Sequence, residues 1–196
     1  MTDKKTICIT GGIGSGKSHI IRAFNVLGIP SYDCDSRAKA LYDESPELIK
    51  NVTDIVGEDI IRDGKLNRAL LASRIFGDTS LKLKVESIVH PAVVSDFISW
   101  RERQDSQLVI IESAIILENE KLRKIADFTI LVTAPTPVRV QRVIARDNIT
   151  AELALKRIDA QWSDEQRKIY ADHIIETNDR NAIIPQIIDI IDKLTK

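Results

Sequence analysis

Cysteine, glycine, proline and aromatic residues are all scarce in this chain of 196 residues. Two cysteines, Cys8 and Cys34, are too few for a disulfide framework or a paired-cysteine metal clip, which predicts a reducing, cytoplasmic setting. Eight glycines and six prolines exclude collagen-like and low-complexity classes. An excess of one charge sign is also missing. The 28 basic and 29 acidic residues leave a net charge of -1, so no global field draws the chain to nucleic acid or anionic lipid. Neither a nucleic-acid nor a membrane partner is expected, and any anionic ligand must be held by a local site. No apolar run is long enough for a membrane span or a secretory leader; the longest are broken by Glu112 or by polar residues. What remains, 43% hydrophobic and 29% charged, is ordinary globular usage. A chain of this length buries about 70% of its unfolded surface around one core.

Short β-branched runs alternate with longer helical patterns. Thr6 to Thr10 reads as a strand ending at a glycine cluster, and Lys17 to Leu27 as a helix stopped by Gly28 at the C′ position. Ile29 to Asp33 is a second strand. A helix follows through Ala38 to Leu41, and Ser45, Pro46 and Glu47 then supply an N-cap, a first-turn proline and an acidic first turn. The stretch up to Gln104 is mostly helical, with a turn at Asp63-Gly64 and a break at His90-Pro91. Leu108 to Ile111 and Phe128 to Val132 have the continuous hydrophobicity of strands buried on both faces of a parallel sheet. After Pro135 and Pro137 an arginine-bearing helix runs to Asp147. Thr150 and Ser163 cap two more helices, with Gln166 placed to complete a capping box at the second. His173 to Glu176 reads as the last strand, and Ile183, Ile184, Ile187, Ile188, Ile191 and Leu194 form a helical stripe that packs on the sheet. The class is α/β: one domain with about five parallel strands and helices on both faces. Its core spans about residues 1–35 and 105–196, with a helical insertion at about 36–104 and an arginine-bearing lid at about 136–162.

Gly11-Gly12-Ile13-Gly14-Ser15-Gly16-Lys17-Ser18 matches G-x-x-x-x-G-K-[ST] in full and lies between a strand and a helix. Backbone N–H groups of such a loop converge on phosphate, and the helix N-terminus adds its positive dipole end. Lys17 reaches the β and γ phosphates, and Ser18 offers a hydroxyl to Mg²⁺. This predicts a nucleoside triphosphate site formed by Gly12, Ile13, Gly14, Ser15, Gly16, Lys17, Ser18 and the adjoining His19.

Several classes of P-loop protein compete for that site. Asp54-Ile55-Val56-Gly57 fits the GTPase pattern D-x-x-G by letters, but polar Lys50, Asn51 and Thr53 precede it where a buried strand is needed, and no N-K-x-D follows. A motor ATPase normally needs a larger chain. A small-molecule kinase needs only a second pocket that holds an acceptor hydroxyl in line with the γ phosphate, which makes it the parsimonious class. A nucleoside or nucleotide kinase and a nucleotide-dependent switch are the alternatives.

The acceptor side points to Asp33-Cys34-Asp35, directly after the second strand. Asp33 is the expected catalytic base, placed to orient a hydroxyl and take its proton while Lys17 steadies the phosphates. Asp35 is the expected N-cap of the next helix. Glu112 ends its strand where a Walker-B-type carboxylate would reach Mg²⁺ through water or hold a substrate group. Arg139, Arg142 and Arg146 share a helix face and would close over the phosphates as a lid. His19, His90 and His173 lack metal-ligand spacing, and His90 is a candidate for substrate contact or for a structural role beside Pro91.

In these residues the chain resembles the dephospho-CoA kinase family. Thr10 to Ser18 is similar to that family's opening and Asp33-Cys34-Asp35 to its D-A-D, whose first aspartate is regarded as the base. Asp63 to Arg68, Glu86 to Pro91, Arg157 to Gln161 and Ala171-Asp172 resemble further blocks in the family's order. The chain departs from the pattern at His19, where threonine is usual, at Asn67 for aspartate and at Glu112-Ser113-Ala114 for D-x-P. Glu118 matches, and Thr177 stands where asparagine is usual, with Asn178 one place later. The resemblance implies transfer of phosphate from ATP, with Mg²⁺, to the ribose 3′-hydroxyl of the small molecule dephospho-CoA. It further implies that the insertion binds the acceptor, with Arg68 and His90 as candidate contacts; the lid reading makes Arg142 and Arg146 ATP contacts.

Overall fold

The computed structural model describes residues 4–118, 120–178 and 182–195. The chain divides into two compact units, one made of residues up to Tyr32 and from Gln104 onward, the other of Asp33–Arg103.

The first unit opens with β1 (Lys5–Thr10), the glycine-rich loop and α1 (Lys17–Val26). Gly28, at φ 84, lets α1 end in a Schellman motif: Gly28 N–H donates to Asn25 and Ile29 N–H to Phe24. β2 (Ser31–Asp33) follows, its last residue being the first of the second unit, and is shorter than the expected Ile29–Asp33 run.

The second unit then holds α2 (Cys34–Glu44), α3 (Pro46–Val56), β3 (Ile61–Arg62), β4 (Lys65–Leu66), α4 (Arg68–Gly77) and α5 (Thr79–Glu102). Ser45 caps α3 as expected, accepting from Leu48 N–H at 3.2 Å. Asp63 and Gly64 both take positive φ, 51 and 72, and turn β3 into β4 as a two-residue hairpin. Asp54 lies within α3, so the D-x-x-G letters are helical and form no GTPase switch strand.

The expected break at His90-Pro91 is absent: α5 runs through Pro91 for 24 residues. Proline removes one backbone bond and crowds the preceding turn. The helix persists because Val85, Val89, Val93 and Phe97, spaced by four on both sides of Pro91, are all buried, and α5 packs against α2, α3 and α4. Continuing that face into the core outweighs the lost bond.

The first unit resumes with β5 (Leu108–Glu112), α6 (Glu120–Arg123), β6 (Phe128–Thr133), α7 (Thr136–Asp147), α8 (Ala151–Asp159), α9 (Asp164–Lys168), β7 (His173–Glu176) and α10 (Ile183–Thr195). The five-stranded sheet is parallel, in the order β2-β5-β1-β6-β7. β1 registers Ile9 against Glu112 of β5 and Thr10 against Leu131 of β6. Ile7 and Ile9 pack in one cluster with Ile20, Ile21 and Phe24 of α1 and Ile187 and Ile190 of α10. Strand side chains alternate between faces. The opposite set, including Cys8, Val109, Ile111 and Leu131, is equally buried, so both faces of the sheet are covered. That double cover explains the unbroken apolar runs of β5 and β6.

Candidate active site

The loop Gly11–Ser18 joins the carboxyl end of β1 to α1. Gly16 stands at the N-cap of α1 and offers no side-chain acceptor to the first-turn N–H groups, while its carbonyl takes the His19 N–H at 3.0 Å. Gly12 and Gly14 are required by close approach. A Cβ on Gly12 would lie 2.1 Å from Arg139 Nη2, and one on Gly14, at φ 78, would lie 2.6 Å from the Arg139 carbonyl. Lys17 Nζ donates to Gly11 O at 2.8 Å. Ser18 is exposed on the first turn of α1, and His19 beside it is exposed as well.

The three arginines of α7 do not act as one exposed face. Arg139 is 5% exposed; its Nε donates to Ile13 O at 3.0 Å, and its Nη1 lies 3.7 Å from Asp164. Its Nη2 is buried without a hydrogen-bond partner. Arg142 donates from Nη1 to Gly14 O at 3.3 Å and to Thr177 Oγ1 at 2.7 Å, and from Nη2 to Thr177 O at 3.1 Å. Arg146 instead turns to Asp147, 2.7 Å from its Nε, while Arg157 meets the same carboxylate at 2.9 Å. The hydrogen bond from Arg146 holds the Asp147 carboxyl below its ordinary range. The burial of Arg139 follows from helix geometry, since α7 must bury one stripe and Arg139 shares it with Val143.

Two residues of this site stood out in the sequence only as family positions, without the contacts they make. Gln161, between α8 and α9, accepts the Ile13 N–H on Oε1 at 2.8 Å. Thr177, just past β7, donates its hydroxyl to Ser15 O at 2.6 Å. Gly16, His19, Arg142, Thr177, Asn178 and Ile183 line a cavity of about 390 Å³ beside the loop, a size suited to part of a small ligand.

Asp33 ends β2, and it, not Asp35, is the N-cap of α2. Its Oδ1 accepts from Asp35 N–H at 3.0 Å and Ser36 N–H at 3.1 Å, and its Oδ2 accepts from Ser36 Oγ at 2.6 Å. The correction is positional: β2 passes directly into a helix that begins at Cys34, so Asp35 already lies in the first turn. Glu112 ends β5, and the strand order puts β5 between β1 and β2. In the second unit, Arg68 Nη2 donates to Lys39 O at 2.9 Å and to Asp43 at 2.5 Å. His90 is half-buried on α5; burial pushes its pKa below the ordinary value, with Glu86 opposing and Lys82 adding to the drop.

Among the described residues no group of three or more His, Cys, Asp or Glu could hold a metal ion by itself. Mg²⁺ keeps several waters and takes phosphate oxygens with only one or two protein groups, a requirement that a single exposed hydroxyl such as that of Ser18 fits. No helix of the described residues is long and apolar enough to cross a membrane.

The family model for dephospho-CoA kinase matches residues 5–182. A dephospho-CoA kinase of Porphyromonas gingivalis is 41% identical over 188 residues, which covers 95% of this chain and 93% of the relative. One of Bacteroides fragilis is 37% identical over 186 residues, 94% and 90% of the two chains. Among solved structures, the crystal structure of TT1252 from Thermus thermophilus aligns with a TM-score of 0.85 at 28% identity over 98% of each chain. Shikimate kinase from Acinetobacter baumannii, at 15% identity and a TM-score of 0.60 over 99% of this chain and 94% of its own, shares the fold.

Proposed function

The chain belongs to the dephospho-CoA kinase family, which phosphorylates dephospho-CoA in coenzyme A biosynthesis with ATP as co-substrate, and from that premise we propose how its residues divide the reaction. The reading is carried by one observation: a complete phosphate-binding loop whose backbone is braced by Arg139, Arg142, Gln161 and Thr177.

The phosphates of ATP rest on N–H groups of the loop between Gly12 and Ser18, apart from those of Ile13 and Ser15, which donate to Gln161 and to Gly12 O, and Lys17 neutralises charge that grows on the β and γ oxygens as the bridging bond breaks. His19 and Arg142 flank the nucleobase side in the 390 Å³ cavity. Arg146 joins the phosphates by exchanging its ion pair with Asp147 for them. Ser18 would hold Mg²⁺, which when bound supplies further charge neutralisation at the phosphates. Asp33 takes the proton of the ribose 3′-hydroxyl as that oxygen bonds to the γ phosphorus, giving coenzyme A and ADP. Glu112, Arg68 and His90 contact the acceptor, with the insertion 36–104 as its binding region. The two isolated cysteines and the balanced charge support a cytoplasmic enzyme whose partner is a small molecule.

Single-turnover transfer to dephospho-CoA, beside calorimetric ATP binding, tests the assignment. Asp33→Asn is expected to lower turnover by roughly 10²–10⁴-fold with ATP affinity nearly unchanged, because a base acts only in the transition state. A loss confined to Asp35→Asn would move the base to that residue.

A further inference from the structure

Three successive carbonyls of the phosphate loop are held by side chains from outside it: Ile13 O by Arg139, Gly14 O by Arg142 and Ser15 O by Thr177. In a trans peptide the carbonyl and the following N–H point in opposite directions. Fixing Ser15 O therefore fixes the direction of Gly16 N–H, and fixing Ile13 O does the same for Gly14 N–H. Both are turned away from the braces, toward the concave face on which a P-loop binds phosphate.

Thr177 is the pivot of this arrangement because one hydroxyl serves two partners. Its single proton goes to Ser15 O at 2.6 Å, while the oxygen accepts from Arg142 Nη1 at 2.7 Å. Thr133 O, at 3.3 Å, is the poorer acceptor for that proton. Thr177 is 4% exposed, so bulk water does not replace a lost bond, and a Cβ on Gly16 would meet its methyl at 3.2 Å. The backbone is held separately, with Thr177 N–H donating to Thr133 O at 2.8 Å. Removing the hydroxyl thus leaves the path of the chain intact.

We propose that Thr177 is a positioning residue for ATP binding: its hydroxyl presets the Gly16 N–H and holds the Arg142 guanidinium at the edge of the 390 Å³ cavity. The proposal rests on the reading of Gly11–Ser18 as the ATP phosphate site. Preorganised donors bind an anion without a cost of reordering, so the effect belongs to nucleotide affinity and not to the acceptor.

Thr177→Val keeps the shape of the side chain and deletes the hydroxyl; Thr177→Ser keeps the hydroxyl. On the full chain, Thr177→Val is expected to weaken calorimetric ATP binding and raise the KM for ATP by roughly 10- to 100-fold, with the KM for dephospho-CoA near wild type. Thr177→Ser is expected to restore ATP binding almost fully. Wild-type ATP affinity in Thr177→Val overturns the proposal, as does a loss that serine does not repair or one that falls equally on both substrates. Should Thr177→Val not yield folded protein by circular dichroism, Thr177→Ala measured against Thr177→Ser makes the same comparison. Lys17→Ala separates the proposal from its premise. Wild-type turnover in Lys17→Ala overturns the phosphate site and the proposal together, whereas a dead Lys17→Ala beside an unaffected Thr177→Val overturns only the role of Thr177.

Discussion

Asp33 closes a strand and opens a helix with the same carboxylate. As N-cap of α2 it accepts two backbone N–H groups on one oxygen, and its second oxygen faces the Ser36 hydroxyl, a partner that can rotate away. Asparagine caps helices about as well as aspartate, so the Asp33→Asn substitution removes the charge while keeping the cap. Alanine would remove both and confuse chemistry with stability. His90 is the residue whose environment ties folding to pH. Its folded pKa lies below the ordinary value of 6.5, so the unfolded chain takes up a proton first as the pH falls. The contribution is fully present above about pH 7 and is lost as the pH drops through the unfolded pKa toward the folded one. The thermal midpoint is therefore expected to decline on acidification from about pH 7 to about pH 5, with a shallower decline in His90→Gln. Superimposable profiles for the two proteins would remove His90 as a source.

α1 shows how glycines at the two ends of one helix do different work. At its start, the glycines admit the backbone and side chain of Arg139 and put no capping side chain in the way of an anion. At its end, Gly28 has open space where a Cβ would stand, with no atom within 4 Å, and is needed only for its φ of 84. Gly28→Ala is expected to lower stability by about 1 kcal/mol, the cost of a left-handed conformation for a residue with a Cβ, while leaving turnover unchanged. Chemical denaturation with parallel kinetics checks both halves, and a loss of turnover would show that the end of α1 bears on the site. α5 makes the complementary point. Pro91 reads locally as a stop, yet the buried stripe Val85, Val89, Val93 and Phe97 carries the helix across it. Local propensity sets a cost of a few kcal/mol, and a continuous apolar face offsets it.

For the whole chain, a ligand that binds only the folded state adds stability by mass action. ATP at about 100 times its dissociation constant contributes ~2.7 kcal/mol, which for a domain of this size raises the thermal midpoint by roughly 5–10 °C. Scanning calorimetry with and without ATP measures that shift, and Lys17→Ala is expected to reduce it; an equal shift in the variant would deny Lys17 a part in binding. Much of the molecule was legible in the sequence because its signals are local. The strands at Thr6–Thr10, Leu108–Ile111 and Phe128–Val132, the capping box of Ser163 and Gln166, and the phosphate loop itself each depend on neighbours within a few residues. The spacing of such short signals determines an α/β chain with a phosphate site at a strand–helix junction. Tertiary structure alone decided the strand order that inserts β5 between β2 and β1, the burial of Arg139, and the choice of Asp33 over Asp35 as cap. It alone brought Gln161 to Ile13, across 148 residues, and Thr177 to Ser15, across 162. Residues so far apart leave no periodicity between them; Thr177 meets Ser15 because a parallel sheet gathers the carboxyl ends of β1 and β7 along one edge, and Gln161 reaches Ile13 from the connection between α8 and α9.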